Sequence, residues 1–404
     1  MGTVNTSPLR AVADVISRNR EELSAIAFDM FFATQRDART RIRATPAIAD
    51  ALTLLARSCD SEGKLPLDVE KRFLQRATTL CAHGLRVDDL EPLAESAHRA
   101  MLITAGGQPF ELVLPIERAL QQLARTVVER LTAYPPQPAT EARVAQVQRR
   151  SRRYTVVRLE ADQAIAYQPG QSVSVSVAFL PGAVEYHYPA NPTNEHGQIE
   201  FHVFHDPAQA GGSDLTKLMS AAAVGDIWRL GPHSGEEGGW VLDKKREDLL
   251  IAHGIGLAPI RTVVIDRLIN GPQVRTHLFL SAEYPGELYD LMGLWQIAAS
   301  SPWLSVTPVS LHDEDPWWVA ATEHSAPPRG LHLRKTGEVG EIVSSFGSWG
   351  DRDVLIAGPG ERVAATVGFM RAAGTPRGHI QTRVCEQPSL WAVGADGRHR
   401  ANQR

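Results

Sequence analysis

The sequence predicts a multidomain chain: an all-α domain, then an antiparallel β-barrel, then an α/β nucleotide-binding domain. Three observations predict it. Residues 8 to 133 repeat apolar side chains every three or four positions, and the strand-like segments that follow alternate apolar and polar residues with period two. From about residue 235, short apolar runs alternate with helical stretches. At 404 residues the chain is also too long for one ordinary core.

The helical half, residues 1–134, is rich in Ala, Leu, Arg and Glu, as in "LRAVADVISRNREELSAIAFDMFF" and "IERALQQLARTVVERL". The proline-rich linker 135–142, within "AYPPQPAT", cannot continue a helix and makes a semi-rigid spacer. Across 143–243 the runs "RVAQVQRRSRRYTVVRLEA", "GQSVSVSVAFL" and "GQIEFHVFHD" read as antiparallel strands with one wet face. Across 244–404, "DLLIAHG", "RTHLFLSAE", "WLSVTPVS" and "DVLIAGPG" alternate with helices such as "APIRTVVIDRLING", the signature of a parallel sheet. The last residues read as a loose tail.

Composition narrows the function classes. An apolar fraction of 43% and a charged fraction of 22% are those of a soluble globular protein. No run approaches the roughly 18 apolar residues of a membrane span, and the start has no signal pattern, so a cytoplasmic location is expected. The three cysteines, Cys59, Cys81 and Cys385, lack metal-site spacing and read as reduced thiols. A net charge of -4 does not suggest a nucleic-acid partner, and the basic runs "VQRRSRR" and "GRHRANQR" read as a solvated linker face and a loose terminus. Oligomeric state is not legible.

In "IAHGIGLAPI", Gly254 and Gly256 end a strand and precede a helix. Such a turn lets the backbone approach a diphosphate while the helix N-terminus faces it with unpaired N–H groups. It also fits a plain βα turn in which glycine relieves strain. His253, just before it, reads as a packing or hydrogen-bonded residue, since hydride transfer needs no protein base there.

Five stretches in order resemble the ferredoxin-NADP reductase superfamily, and specifically the flavohaemoglobins, over almost the whole chain. Gly170 and Gln171 in "YQPGQSVSVSV" match the barrel signature, and "GGSDLTKLMSAAAVGDIWRLGP", with Gly211, Gly212 and Thr216, resembles the segment around the flavin pyrophosphate. "HGIGLAP" looks like the nicotinamide turn, with Gly254, Gly256 and Pro259 in place. "SAEYPGELYDLMGLWQIA" resembles the stretch that meets the nucleotide, and "VLIAGPG", with Gly358 and Pro359, matches the loop beside the nicotinamide. The resemblance implies a globin-like domain, an FAD-type barrel and an NAD(P)-binding domain, with FAD, NAD(P)H and haem b as cofactors.

Departures accompany the matches. Where the superfamily has R-x-Y-S against the flavin, this chain has "YHYP": Tyr188 keeps the aromatic platform, while Tyr186 stands at the Arg position and Pro189 at the Ser position. Leu215 replaces a phosphate-binding Ser with Thr216 adjacent, Ala258 stands where a hydroxyl residue is usual, and Ala357 replaces a Cys. Arg383 and Cys385 stand where flavohaemoglobins place a Glu and an aromatic, leaving Trp391 to cover the flavin.

In the helical half, His83 resembles the globin proximal histidine and is the candidate iron ligand, or else a partner for its helix C-terminus. Phe28 takes the place of the distal Tyr, and Ile42 that of the Phe that wedges the haem; an aromatic-rich helix such as "FDMFF" is most often just core. The resemblance implies a relay from NAD(P)H through FAD on Tyr188 to haem-bound oxygen beside Phe28, of nitric oxide dioxygenase type, with oxygen and nitric oxide as small-molecule substrates. Two alternatives stand beside it: a flavin-dependent NAD(P)H reductase with a haem-free docking domain, and a non-catalytic haem- or nucleotide-binding sensor.

Overall fold

The computed structural model describes residues 9–208, 213–233, 238–243, 245–325 and 333–385. These form two compact units, 9–139 with 179–185, and 140–178 with the residues from 186 on. The barrel and the α/β sheet thus belong to one unit, where the sequence suggests two domains. The linker is also shorter than expected, because its last residues already belong to the first strand.

Among the described residues the first unit contains six α-helices, α1 (Leu9–Arg18), α2 (Arg20–Thr34), α3 (Ala47–Ser58), α4 (Leu67–Ala82), α5 (Leu90–Thr104) and α6 (Phe110–Ala133). Leu9, Val12, Ala13 and Ile16 bury one face of α1, and Val113, Ile116, Leu123, Val127 and Leu131 bury one face of α6. Acidic residues open α2, α4 and α6, complementing the helix dipole.

The second unit begins with β1 (Thr140–Arg149), β2 (Tyr154–Ala161), β3 (Val173–Val177), β4 (Glu185–His187), β5 (Gln198–Phe204), α7 (Asp214–Ser220) and β6 (Ile227–His233). The strands run in the order β4-β3-β6-β1-β2-β5. A bridge between Pro189 and Phe201 brings the two ends together into a nearly closed barrel. The serines of "VSVSV" do not face water as the alternation predicts. All five residues of β3 are buried, α7 lies over β3 and β5, and Ser174 donates to the Pro232 carbonyl. Small side chains with internal partners let a helix cover that face.

The parallel sheet consists of β7 (Glu247–His253), β8 (Thr276–Ala282), β9 (Leu304–Ser310), β10 (Lys335–Thr336), β11 (Arg352–Gly358) and β12 (Ile380–Val384), in the order β10-β9-β8-β7-β11-β12. Helices α8 (Leu257–Ile269) and α9 (Leu291–Ser300) pack Leu257, Ile260, Val263 and Leu294 with Leu250, Ala252 and Leu278. Helices α10 (Val339–Ser344) and α11 (Gly360–Ala372) pack Val339, Val343 and Val363 with Leu249, Ile251 and Phe279. Alternate residues of β7 therefore serve opposite faces, and each fully buried Leu or Ile contributes roughly 1.5–3 kcal/mol. Strand order reverses between β7 and β11, which fixes the crevice where such sheets bind ligands. Among the described residues no helix is long and apolar enough to cross a membrane.

Candidate functional site

At the end of β7 the chain turns through Gly254, at φ +51°, and Gly256 into the 13-residue helix α8. Pro259 lies in the first turn of α8, where its missing N–H costs nothing. At the end of the neighbouring β11, Gly358 at φ +150° leads through Pro359 into α11. The two turns meet: a side chain on Gly256 would strike the Ala357 carbonyl, and one on Gly358 would strike His253. The glycines predicted at the nicotinamide turn are thus brought together, with the added role of letting the two loops touch. His253 itself is buried, hydrogen-bonded through Nε2 to Thr366 Oγ1 at 3.0 Å, and burial holds its pKa down at about 4.

A cavity of about 160 Å³ opens on these turns, lined also by Arg153, Tyr154, Glu283, Glu287, Glu338 and Arg362. Arg153 immediately precedes β2 and is buried. It donates to Glu287 at 2.5 Å, Glu283 at 2.9 Å and Asp206 at 3.2 Å, and lies over the rings of Phe204 and Trp318. Arg150, nearby, is buried 3.6 Å from Asp290. The reading of "VQRRSRR" as a wholly solvated face is therefore wrong for these two residues. A guanidinium has five donors in a fixed fork, and here carboxylates far along the chain match them.

The segment after Tyr188 is tied to α8. Thr262 donates to the Pro189 carbonyl at 2.6 Å, and Arg261 donates to the Ala190 carbonyl at 2.9 Å while pairing with Asp290 and Glu200. Glu200 also binds His202 at 3.0 Å, whose other nitrogen meets the Tyr289 hydroxyl at 2.9 Å. Burial works against the Glu200 charge, but His202 and Arg261 outweigh it and hold its carboxyl well below the usual range. Tyr186 and Tyr188 themselves are half-buried at the end of β4.

Gly170, at φ +81°, has its face covered by the Trp240 ring. Arg383 lies over that ring, 4.2 Å from its centroid, and donates to the carbonyls of Gly170 and Gly238. Arg383 thus binds the barrel turn itself. Gln171 accepts from the Gln168 amide through Oε1 and meets His233 through Nε2. Thr216, in the first turn of α7, donates its amide to the cap Ser213. Gly211, Gly212 and Trp391 lie outside the described residues.

In the helical unit His83 caps the C-terminus of α4 and is buried. Phe28 is also buried, in one cluster with Phe31, Phe32, Ala38, Ile42 and Leu85, against which Leu80 and Cys81 pack. The Phe28 and Phe32 rings are 5.6 Å apart. Side chains next to His83 and side chains around Phe28 thus share one apolar cluster. A haem between the two would have to part it, so this packing does not fit the group.

Over 94% of this chain and 99% of the other, the fold is similar to a flavohemoglobin from Malassezia yamatoensis whose crystal structure holds FAD and heme, with a TM-score of 0.62 at 14% identity. This chain shares that protein's fold. The fold is also similar to the ferredoxin reductase in carbazole 1,9a-dioxygenase, with a TM-score of 0.50 at 21% identity, covering 62% of this chain and 71% of that one. By sequence the chain is similar to the reductase component of phenol 2-monooxygenase from Pseudomonas sp. (strain CF600), 28% identical over 162 residues, 40% of this chain and 44% of that protein. It is likewise similar to the electron transfer component of toluate 1,2-dioxygenase from Pseudomonas putida, 27% identical over 212 residues, 52% of this chain and 56% of that protein. The chain spans about half the length of the curated relatives it matches. No family model matches it.

Sequence reasoning missed Arg153, Tyr154, Trp240 and Tyr289. Only the acidic residues of "SAEYPGELYD", within a stretch already matched to the nucleotide, hinted at the Arg153 cluster.

Proposed function

We propose that the protein is an NAD(P)H-dependent flavin oxidoreductase of the electron-transfer type, which takes a hydride from the dinucleotide and passes electrons to a separate redox partner. The observation that carries this reading is the meeting of the Gly254–Gly256 and Gly358–Pro359 turns at the point where strand order reverses, beside a cavity that reaches the barrel. The N-terminus of α8 would face the dinucleotide diphosphate with its free amides. The curated relatives are reductase and electron transfer components, which favours a protein partner as acceptor.

FAD fits on the Tyr186–Tyr188 side of the barrel, where both rings are half-buried and the next two residues are locked to α8. Tyr188 would carry the flavin ring, and Thr216 with the Gly211–Gly212 segment would serve its phosphates. Gly170 would act from behind, through Trp240 and Arg383, and Gln171 through Gln168 and His233, rather than by facing the ring. When bound, FAD supplies the exchange between two-electron hydride chemistry and single-electron transfer. This chain's contribution is placement: Arg261 and Thr262 fix the platform, and the paired glycine turns keep the dinucleotide near it.

A relay through haem to oxygen or nitric oxide, with His83 on the iron and Phe28 on the oxygen side, is the reading that the packed Phe28–Leu85 cluster argues against. The test is NADH and NADPH oxidation by FAD-supplemented protein with ferricyanide as acceptor. Turnover that Gly256→Val abolishes, because the added side chain meets Ala357, supports the reductase. No turnover with either nucleotide, while FAD and dinucleotide bind, would favour a sensor.

A further inference from the structure

The cavity at the ends of β7, β8 and β11 has an acidic wall whose cations are already used. It is lined by the carboxylates of Glu283, Glu287 and Glu338 and by two guanidiniums, Arg153 and Arg362. Arg153 spends its donors on Glu287, Glu283 and Asp206. Arg362 donates to both oxygens of Glu338, at 2.7 and 2.9 Å. Neither cation is left to meet an incoming dianion.

Glu283 holds the position that matters for the adenosine ribose. In a parallel sheet that binds a dinucleotide, the second strand ends beside that ribose, and a carboxylate there accepts hydrogen bonds from its hydroxyls. Here β8 is that strand, adjacent to β7, and Glu283 follows its last residue, Ala282. The Glu283 side chain is 42% exposed, so it reaches the solvent-facing rim. Its neighbour Tyr284 stacks on His312 with centroids 4.9 Å apart, a flat surface beside the same rim.

Resting on the dinucleotide reading of this cleft, we propose that Glu283 makes the chain selective for NADH over NADPH, by accepting from a free ribose hydroxyl and repelling a 2′-phosphate. A phosphate carries about -1.5 to -2 charge at neutral pH. It would arrive next to Glu283 with Glu287 behind.

Equilibrium binding of NAD+ and NADP+ to the full chain, followed by calorimetry, needs no turnover and no bound flavin. Like-charge juxtaposition in a recognition site costs several kcal/mol, so NADP+ is expected to bind at least about 100-fold more weakly than NAD+. Glu283→Gln keeps the shape and removes the charge, and is expected to narrow that gap at least about tenfold by tightening NADP+. Asp206→Asn removes another partner of Arg153 that does not line the cavity, and is expected to leave the ratio unchanged. Equal or tighter NADP+ binding by the parent chain overturns the proposal. So does a Glu283→Gln ratio that is unchanged, or that moves no more than in Asp206→Asn. Binding of neither nucleotide overturns the dinucleotide reading itself, and the selectivity with it.

Discussion

The Tyr154 ring lies on the Tyr289 ring, centroids 4.2 Å apart and planes 14° from parallel, and its hydroxyl oxygen stands 2.6 Å from where a side chain on Gly254 would begin. One stacked pair therefore joins the barrel strand β2 to the segment before α9 and bounds the turn at Gly254. Gly254→Ala is expected to destabilise the protein on two counts, a left-handed backbone worth roughly 1–2 kcal/mol and the clash with the phenol. Tyr154→Phe removes only the clashing oxygen. A double-mutant cycle by chemical denaturation should show the second change relieving part of the first. Strict additivity would contradict this arrangement.

Arg153 holds a buried carboxylate in place. Arg153→Ala leaves Glu287 uncompensated, and breaking such a pair from one side costs about 3–5 kcal/mol. Adding Glu287→Gln removes the stranded charge and should restore a measurable part of that loss in urea unfolding. A loss within about 0.5 kcal/mol, the size of an ordinary surface change, would mean that the cluster is not holding the barrel to the sheet.

His253 gives the fold a pH dependence of definite sign. Burial lowers its pKa from the usual 6.5 to about 4, so the folded protein favours the neutral ring. Its contribution is fully present above pH 6.5 and is lost as pH falls toward 4, on the order of 3 kcal/mol in all. In His253→Gln, which keeps a partner for Thr366, the stability profile should flatten across that window. An unchanged profile would assign the acid sensitivity elsewhere.

The helical unit should behave as a closed apolar core. Phe28→Ala is expected to cost about 3–5 kcal/mol, as for a packed core ring, and haemin added to the purified protein should produce no Soret band assignable to iron on His83. A stoichiometric Soret band lost in His83→Ala would contradict the haem-free reading.

Much of the plan was legible in the sequence. Period-three-to-four spacing marked the helices, the run "DLLIAH" and the glycines after it marked the switch-point strand, and "VLIAGPG" marked the turn it meets. What was hidden depends on partners distant in the chain. Nothing local in "RRY" says that Arg153 will find Glu287, 134 residues on, or that this contact helps fuse barrel and sheet into one unit. Trp240 over Gly170 and the covered serines of β3 were invisible for the same reason. A period-two pattern gives the two faces of a strand but not what comes to lie on them.

The most direct test of the electron-transfer reading is an anaerobic titration of the FAD-loaded protein with NADH, followed through the flavin's visible absorbance. The expected result is stoichiometric bleaching, reversed by ferricyanide, with no Soret band in the spectrum. FAD that binds but stays oxidised in the presence of bound NADH would contradict the account.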